Sequence, residues 1–396
     1  MNPRLRTIGA AGLLAVLAFA LYAIPVGTRP LSIDEVAVLR QSQAVVHDAG
    51  RLRLFFQVSD DRWLPPVAVY ATAAASVVAP PEHAGRLAAA AVGALNVALM
   101  FVLSRRLFTG DVAPVAAALL LMATPAHFVF ARTGSDAIYS LPFALTWLIG
   151  VIDYLRLGDR SRLAVAALAL GVGIYTQPSG PLTMGLFLAV TLAVMWVSGR
   201  RDGRSLAMPT LCFSGPVAAG AIWFAANPHA YPDTFGRWAV HAAHLRFPLD
   251  GLRAFVNWNT LGTRASLYWG FFDPSWLFLD GPAMPGSALQ GGAPFLLATV
   301  LLLVAGISWR LRAGPAAVTL LLLASLAVAP LAASTFGEPY AIASALMVTP
   351  LVVILAAGGL ASWLAKEHRG WRIAGWLVVA TLALDFARFY ACQWPG

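Results

Sequence analysis

Charged residues are scarce in this chain of 396 residues, and their scarcity decides its class. Asp, Glu, Lys and Arg make up 11% of the residues, whereas hydrophobic residues make up 59% and the mean hydropathy is +0.73. A soluble protein of this length carries about 25% charged residues. The composition therefore excludes a soluble protein and predicts an all-α polytopic membrane protein.

Lysine and cysteine are also nearly absent. The 27 basic residues are arginines except for Lys366, and with 18 acidic residues they give a net charge of +9. In a membrane protein such an excess sets topology and contacts anionic headgroups, so it requires no nucleic-acid partner. The 2 cysteines, Cys212 and Cys392, fall near opposite ends of predicted helices. This argues against a disulfide and excludes a cysteine metal cluster.

Apolar runs predict about eleven membrane spans. The first, residues 8–26, could be a cleaved signal peptide, but its length and the acidic stretch directly behind it favour a retained helix. Two long polar segments, residues 31–85 and about 228–290, interrupt the runs. Within the first, the apolar run from Pro66 to Val78 is short for a span and is predicted to lie at the membrane surface. The other spans are predicted near residues 86–104, 112–130, 137–155, 163–177, 181–198, 206–226, 291–310, 316–336, 340–364 and 371–389.

Clusters of basic residues occupy every second loop between the predicted spans. The positive-inside rule places these loops and the N-terminus in the cytoplasm, and both polar segments and the C-terminus outside. Alanine- and arginine-rich usage is typical of a GC-rich bacterial genome, which predicts the bacterial inner membrane. The clusters are Arg105/Arg106, Arg156/Arg160/Arg162, Arg200/Arg201/Arg204, Arg310/Arg312 and Lys366/Arg369/Arg372.

The predicted spans hold few ionisable side chains. Their notable polar residues are Asn96, His127 and Gln177. A lone histidine such as His127 more often makes a helix–helix hydrogen bond than serves as a proton relay. Ion-coupled transporters usually keep ionisable groups in mid-membrane. The pattern therefore favours an enzyme with an extracytoplasmic site over a transporter.

The stretch Leu31–Arg40 places two carboxylates, Asp34 and Glu35, where the chain leaves the first span. Ser32 and Glu35 have the spacing of a capping box, so a helix is predicted to begin here. Both acids would then favour the positive end of the helix dipole, which is a purely structural role. Neighbours on a helix point about 100° apart, so only one of them is expected to face a site.

Five stretches of the chain match, in order, the motifs of one family. They are Ile33–Ala37, Gly85–Leu87 with Ala94–Phe108, Ala123–Arg132, Tyr268–Phe278 and Ala343–Leu360. In these stretches the sequence resembles bacterial membrane glycosyltransferases of the GT-C fold, the group that includes protein O-mannosyltransferases and the aminoarabinose transferase of lipid A. The similarity runs over most of the chain.

The resemblance implies that a sugar moves from a polyprenyl-phosphate donor to a lipid, glycan or protein acceptor outside the cytoplasm, with inversion at the anomeric carbon. It implies a catalytic transmembrane module at residues 1–226, an external loop or lid at 227–290 and C-terminal transmembrane helices at 291–396. The alternative is a non-catalytic polytopic protein that binds or translocates a lipid-linked sugar. No cofactor is predicted with certainty; a divalent cation stays open.

Such a transfer needs a base for the acceptor hydroxyl and positive charge for the leaving phosphate. Asp34 matches the family's catalytic acid and is predicted as the base, with Glu35 structural or orienting. Asp136 is predicted as a second acid, and a helix N-cap is its equal alternative. The candidate phosphate ligands are Arg62, Arg86, Arg132, Arg246 and Arg264. Arg132 is favoured among them because it lies four residues from Asp136.

The second polar segment is rich in aromatic residues, which suit either an interfacial belt or a lid over the sugar and prenyl chain. His241 and His244 are three residues apart and could bind a metal, although surface histidines are the commoner arrangement. The predicted lid and substrate residues are Tyr268, Trp269, Asp273 and His244.

Overall fold

The computed structural model describes residues 3–24, 30–48, 53–60, 62–230, 258–279, 292–335 and 341–393. In its N-terminal part a long helix is followed by a small unit of helix, hairpin and helix, and then by a helical bundle. The elements are α1 (Pro3–Ala23), α2 (Ile33–His47), β1 (Phe56–Ser59), β2 (Arg62–Leu64), α3 (Pro66–Ala75), α4 (Pro81–Leu107), α5 (Val112–Ala123), α6 (Pro125–Phe130), a 3₁₀ turn (Ala137–Ser140), α7 (Leu141–Leu157), α8 (Arg160–Gly173), α9 (Gly180–Val197) and α10 (Gly203–Ala226).

The C-terminal part continues the bundle. Its elements are α11 (Trp258–Gly270), α12 (Pro274–Phe278), α13 (Thr299–Ala313), α14 (Ala316–Val328), α15 (Leu331–Thr335), α16 (Val348–Leu364) and α17 (Arg369–Gln393). Within the described residues the β structure is a two-stranded antiparallel hairpin, so the fold is essentially all-α.

Seven of the described helical segments are long and apolar enough to cross a membrane. Three shorter apolar helices, α3, α5 and α16, accompany them. A multi-pass helical membrane protein is thus confirmed, while the number of about eleven spans stays a prediction. One predicted run, 112–130, is divided at Thr124, because Pro125 cannot continue the preceding helix and instead begins α6.

Helix α4 is the centre of the N-terminal half and packs against α1, α5 and α7. Gly93 permits a close approach on one side, since a Cβ there would lie 2.5 Å from the Ala131 Cβ and 3.1 Å from the Tyr22 ring. Tyr22 Oη also lies 3.1 Å from Nδ1 of the buried His127. His127 therefore makes a hydrogen bond between helices, as the sequence predicted.

Helices α13 and α16 meet through glycines. A Cβ on Gly306 would lie 1.9 Å from the Leu355 carbonyl oxygen, and one on Gly359 would lie 2.1 Å from that of Leu302. Small residues allow membrane helices to approach closely and gain packing energy in the absence of a hydrophobic driving force. This contact joins two C-terminal helices to each other, and α16 also packs against α5 of the N-terminal half.

The hairpin after α2 determines where Arg62 lies. Phe56 pairs with Leu64 and Ser59 with Arg62, with an irregularity between Gln57 and Ser59. The Gln41 amide on α2 donates to the Gln57 carbonyl at 2.7 Å, which ties the hairpin to that helix. The predicted apolar segment is helical as α3, which begins after Pro65, and its position at the membrane surface stays a prediction.

Candidate active site

The first turn of α2 is fixed through Glu35. The predicted capping box is present: the Ser32 Oγ accepts from the Glu35 N–H at 3.2 Å, and the Ser32 N–H donates to Glu35 Oε2 at 2.8 Å. Glu35 is 7% exposed. Its carboxylate also accepts from Arg86 Nε at 2.9 Å and from the Gly134 N–H at 3.0 Å. Glu35 therefore connects α2 to α4 and to the loop after α6.

Burial and hydrogen bonding act in opposite directions on Glu35. Burial disfavours the charged carboxylate, but hydrogen bonds from Arg86, Ser32 and Gly134 outweigh it and hold the pKa of Glu35 below its ordinary value. Glu35 is thus ionised at neutral pH and committed to the ion pair with Arg86. A carboxylate with these partners is a structural group, and Arg86 is occupied by it.

Asp34 occupies the other side of the same turn. Its side chain is 62% exposed, and Arg62 Nη2 donates to Asp34 Oδ1 at 2.5 Å. The Arg62 side chain is 18% exposed, because the hairpin holds it against the protein. The neighbouring acids therefore point apart, one into the fold and one towards the outside of it, as helix geometry requires.

Asp136 lies close enough to Asp34 for their negative charges to interact. Burial is the main cause that raises the pKa of Asp136 to about 7, and the repulsion from Asp34 adds to it, whereas the positive charge of Arg62 acts to lower the pKa. Asp136 stands at the N-cap position of the 3₁₀ turn, but its side chain makes no capping hydrogen bond. The structure thus brings Asp34, Arg62 and Asp136 together at one place.

Arg132, which the sequence favoured as a phosphate ligand, has a different environment. It is 5% exposed. Its Nη1 donates to the Leu21 and Ile24 carbonyls at 2.8 and 2.7 Å, and its guanidinium lies over the Phe128 ring at 5.1 Å. The carbonyls at a helix C-terminus carry partial negative charge. Arg132 therefore satisfies the end of α1.

The residues predicted for the lid are only partly described. Tyr268 Oη donates to the Ala327 carbonyl at 2.9 Å, and Trp269 is 67% exposed. Asp273 is the N-cap of α12 and accepts from the Ser275 N–H at 2.9 Å. Arg264 is buried in α11, which packs against α15. His241, His244 and Arg246 lie outside the described residues.

A metal site needs several ligands that converge. Across the described ranges, no group of three or more His, Cys, Asp or Glu side chains could hold a metal ion. Asp34 and Asp136 are two carboxylates, and Mg²⁺ is usually bound by one or two carboxylates together with waters and substrate phosphates. The positive charge beside Asp34 in this structure is that of Arg62.

Gly134 and Gly85 are site residues that sequence reasoning missed. A Cβ on Gly134 would lie 3.3 Å from the Gly85 carbonyl carbon and 3.4 Å from Glu35 Cγ. The absence of a side chain at 134 is what lets its N–H reach the Glu35 carboxylate. The available signals were the glycine beside Arg86 and the glycine in the short loop before Asp136.

Comparison with known proteins gives structural likeness alone. No family model matches the sequence, and no curated protein matches it significantly. The structure of ArnT from Cupriavidus metallidurans bound to undecaprenyl phosphate is 18% identical with a TM-score of 0.62, over 97% of this chain and 64% of that one.

Two structures from Archaeoglobus fulgidus are also similar. The oligosaccharyltransferase in complex with Zn and sulfate has a TM-score of 0.61 at 16% identity, over 95% of this chain and 52% of that one. The oligosaccharyltransferase AglB with an inhibitory peptide and a dolichol-phosphate has a TM-score of 0.60 at 14% identity, over 96% of this chain and 55% of that one. This chain thus spans about half to two thirds of their length. These likenesses show that the chain has the polytopic GT-C fold, as its motifs predicted.

Proposed function

We propose that this protein is a membrane glycosyltransferase that moves a sugar from a polyprenyl-phosphate donor to an acceptor outside the cytoplasm, with inversion. The observation that supports the proposal is that the two neighbouring acids, Asp34 and Glu35, have different environments. Glu35 is locked into the fold by Arg86, while Asp34 is exposed beside Arg62 and Asp136. Solved proteins of this fold bind undecaprenyl phosphate and dolichol-phosphate, which supports the donor class.

Asp34 is the proposed base. Its carboxylate takes the proton of the acceptor hydroxyl as the acceptor oxygen forms a bond to the anomeric carbon. The bond between that carbon and the phosphate oxygen breaks, and its electron pair stays on the oxygen, which leaves as a polyprenyl phosphate. Attack opposite the departing phosphate inverts the anomeric configuration.

Arg62 is the proposed phosphate ligand. Of the candidate arginines whose contacts are described, Arg86 is committed to Glu35 and Arg132 to the Leu21 and Ile24 carbonyls. Arg62 instead holds an exposed carboxylate, and an exposed ion pair is worth only about 0–1 kcal/mol. A phosphate offers a guanidinium two oxygens at once. Donor binding can therefore draw Arg62 away from Asp34 and leave that carboxylate free to act as the base.

Asp136 is the proposed orienting group for the acceptor. With its pKa raised to about 7, it is about half protonated at neutral pH and can then donate as well as accept a hydrogen bond. A protonated Asp136 also avoids a second negative charge beside Asp34.

The proposal is tested by incubating the purified chain with undecaprenyl-phosphate sugars and membrane extract as the acceptor source, and by measuring the release of undecaprenyl phosphate. We expect release with the unaltered chain and a loss of about ten-fold or more in Arg62→Gln, since a hydrogen bond to a charged group is worth about 1.5–3 kcal/mol. Arg53→Gln is the matched control, because Arg53 is in the same external segment and forms an exposed ion pair with Asp48. Donor binding without any release would instead favour a non-catalytic carrier of lipid-linked sugars.

A further inference from the structure

A buried arginine that has no counterion among the described side chains lies at the end of α13. Arg310 is 2% exposed. Its Nε and Nη2 are buried, and neither has a hydrogen-bond partner within the part of the chain that is described. Burying a charge is costly unless it is paired and hydrogen-bonded. A guanidinium in this state is therefore expected to have a partner from outside the described residues.

The neighbours of Arg310 make the missing partner an anion. The Arg156 guanidinium is near enough to repel that of Arg310 electrostatically. The Arg310 guanidinium lies over the Trp309 ring, 5.9 Å from its centroid, and Trp309 packs against Phe108 with ring centroids 5.5 Å apart. Gly314 closes the other side, since a Cβ there would lie 2.8 Å from Arg310 Cδ and Nε. Two like charges held together in this way need a negative charge between them.

The nearby acid is already engaged. Asp153 is 2% exposed, and it pairs with Arg106 at 3.5 Å and with Arg162 through a short contact. Arg156 also donates to the Arg106 carbonyl. Asp153 is thus the counterion of Arg106 and Arg162. Arg310 has no counterion among the described side chains.

Helix α4 gives the position of this group relative to the candidate active site. Arg86, which holds Glu35, and Arg106, which meets Asp153 and Arg156, lie on the same helix. At 1.5 Å per residue they are about 30 Å apart along its axis, which is about the thickness of the hydrocarbon core. The arginines therefore lie at the opposite membrane face from Asp34.

We propose that Arg310 and Arg156 form a phosphate-binding site at this face, separate from the site of sugar transfer and independent of it. A phosphate oxygen matches the buried Arg310 donors, and the positive charge of the more exposed Arg156 adds to the attraction for an anion. Phosphate is suited to guanidinium pairs because it accepts paired, charge-assisted hydrogen bonds. The phosphate belongs to a lipid headgroup of the bilayer or to a free phosphate compound, and basic pockets between membrane helices are typical headgroup sites.

The site is tested by thermal unfolding of the purified full chain in an uncharged, phosphate-free detergent. Phosphatidylglycerol and inorganic phosphate are titrated separately against the unaltered chain, Arg310→Gln and Arg312→Gln. Arg312 is the matched control because it is exposed on the same helix end, so both variants lose one charge. We expect the ligand to raise the Tm of the unaltered chain and of Arg312→Gln, and apparent affinity to fall about ten-fold or more in Arg310→Gln.

The order of stability of Arg310→Gln and the unaltered chain should reverse when phosphate is added, and this reversal distinguishes a phosphate site from a purely structural arginine. Without phosphate, Arg310→Gln should be at least as stable as the unaltered chain, because it removes an unpaired buried charge; with saturating ligand it should be the less stable. Arg156→Gln, at an exposed position, tests the same site if Arg310→Gln does not fold. A response to phosphatidylglycerol alone identifies a headgroup, and an equal response to inorganic phosphate identifies a free phosphate. Equal Tm shifts in all variants, or none, would overturn the proposal.

Discussion

Replacing Glu35 by Gln tests the structural half of the acidic pair. The carboxylate accepts through both oxygens: Oε1 from Arg86 Nε and the Gly134 N–H, and Oε2 from the Ser32 N–H. Gln keeps the size but has only one oxygen acceptor, so its amide N–H₂ would face the donors of the carboxylate oxygen that it replaces. The charge of Arg86, whose side chain is 11% exposed, would be left without its carboxylate.

The magnitude follows from these contacts. Breaking a buried ion pair by removing one partner costs about 3–5 kcal/mol. Arg86 keeps its hydrogen bond to the Pro30 carbonyl at 3.1 Å, which moderates the loss. We therefore expect Glu35→Gln to lower the free energy of unfolding by about 3 kcal/mol, at the low end of that range.

Thermal unfolding in detergent measures the change, with Glu82→Gln as the control. Glu82 is an exposed acid in the first turn of α4, and its loss should cost about 0.3–1 kcal/mol through the helix dipole. The double variant Glu35→Gln/Arg86→Met should be more stable than the sum of the single losses predicts, since both partners are then absent. If Glu35→Gln unfolded at the same temperature as Glu82→Gln, the assignment of Glu35 to the fold would be refuted.

Three further changes have defined outcomes. Burial raises the pKa of Asp136 from 3.8 to about 7, so ionised Asp136 costs stability, and this cost grows as pH rises between those values. The Tm of Asp136→Asn minus that of the unaltered chain should therefore increase from pH 4 to pH 7 and level off above pH 7. A Tm difference that does not change with pH would contradict this. Tyr22→Phe removes the 3.1 Å contact with His127 Nδ1 and should cost about 1 kcal/mol in unfolding free energy, so an unchanged Tm would count against that bond. Gly359→Ala places a Cβ 2.1 Å from the Leu302 carbonyl oxygen and should lower the free energy of unfolding by about 3 kcal/mol or more, which is measured as a loss of folded yield. A normal yield would show that α13 and α16 can separate freely.

Local chemistry explains what could be predicted from the sequence. The capping box of Ser32 and Glu35 depends on residues three apart, and the opposed directions of Asp34 and Glu35 depend on helix geometry. The helix–helix hydrogen bond of His127 follows from the scarcity of polar partners in the spans. The GT-C fold followed from the order of its motifs.

The partner of Asp34 could not be predicted in this way. Arg62 reaches it across 28 positions because the register of the hairpin places Arg62 at the start of β2. As the phosphate ligand, sequence spacing favoured Arg132, which lies near Asp136 along the chain but is turned towards the end of α1. Proximity along the chain says little about side-chain direction in a short loop. The division of the run 112–130 was signalled by Pro125, whose ring ends the preceding helix.

The most direct test of the central claim is the transfer rate of Asp34→Asn. This change keeps the size of the side chain but removes the proposed proton acceptor, and its 62% exposure predicts a stability loss of about 1 kcal/mol or less. Asp60→Asn, an exposed change in the same segment between α1 and α4, is the control. We expect undecaprenyl phosphate release to fall by about two to four orders of magnitude in Asp34→Asn, with donor binding, folded yield and the Asp60→Asn rate near those of the unaltered chain. Near-normal release by a well-folded Asp34→Asn protein would contradict the account.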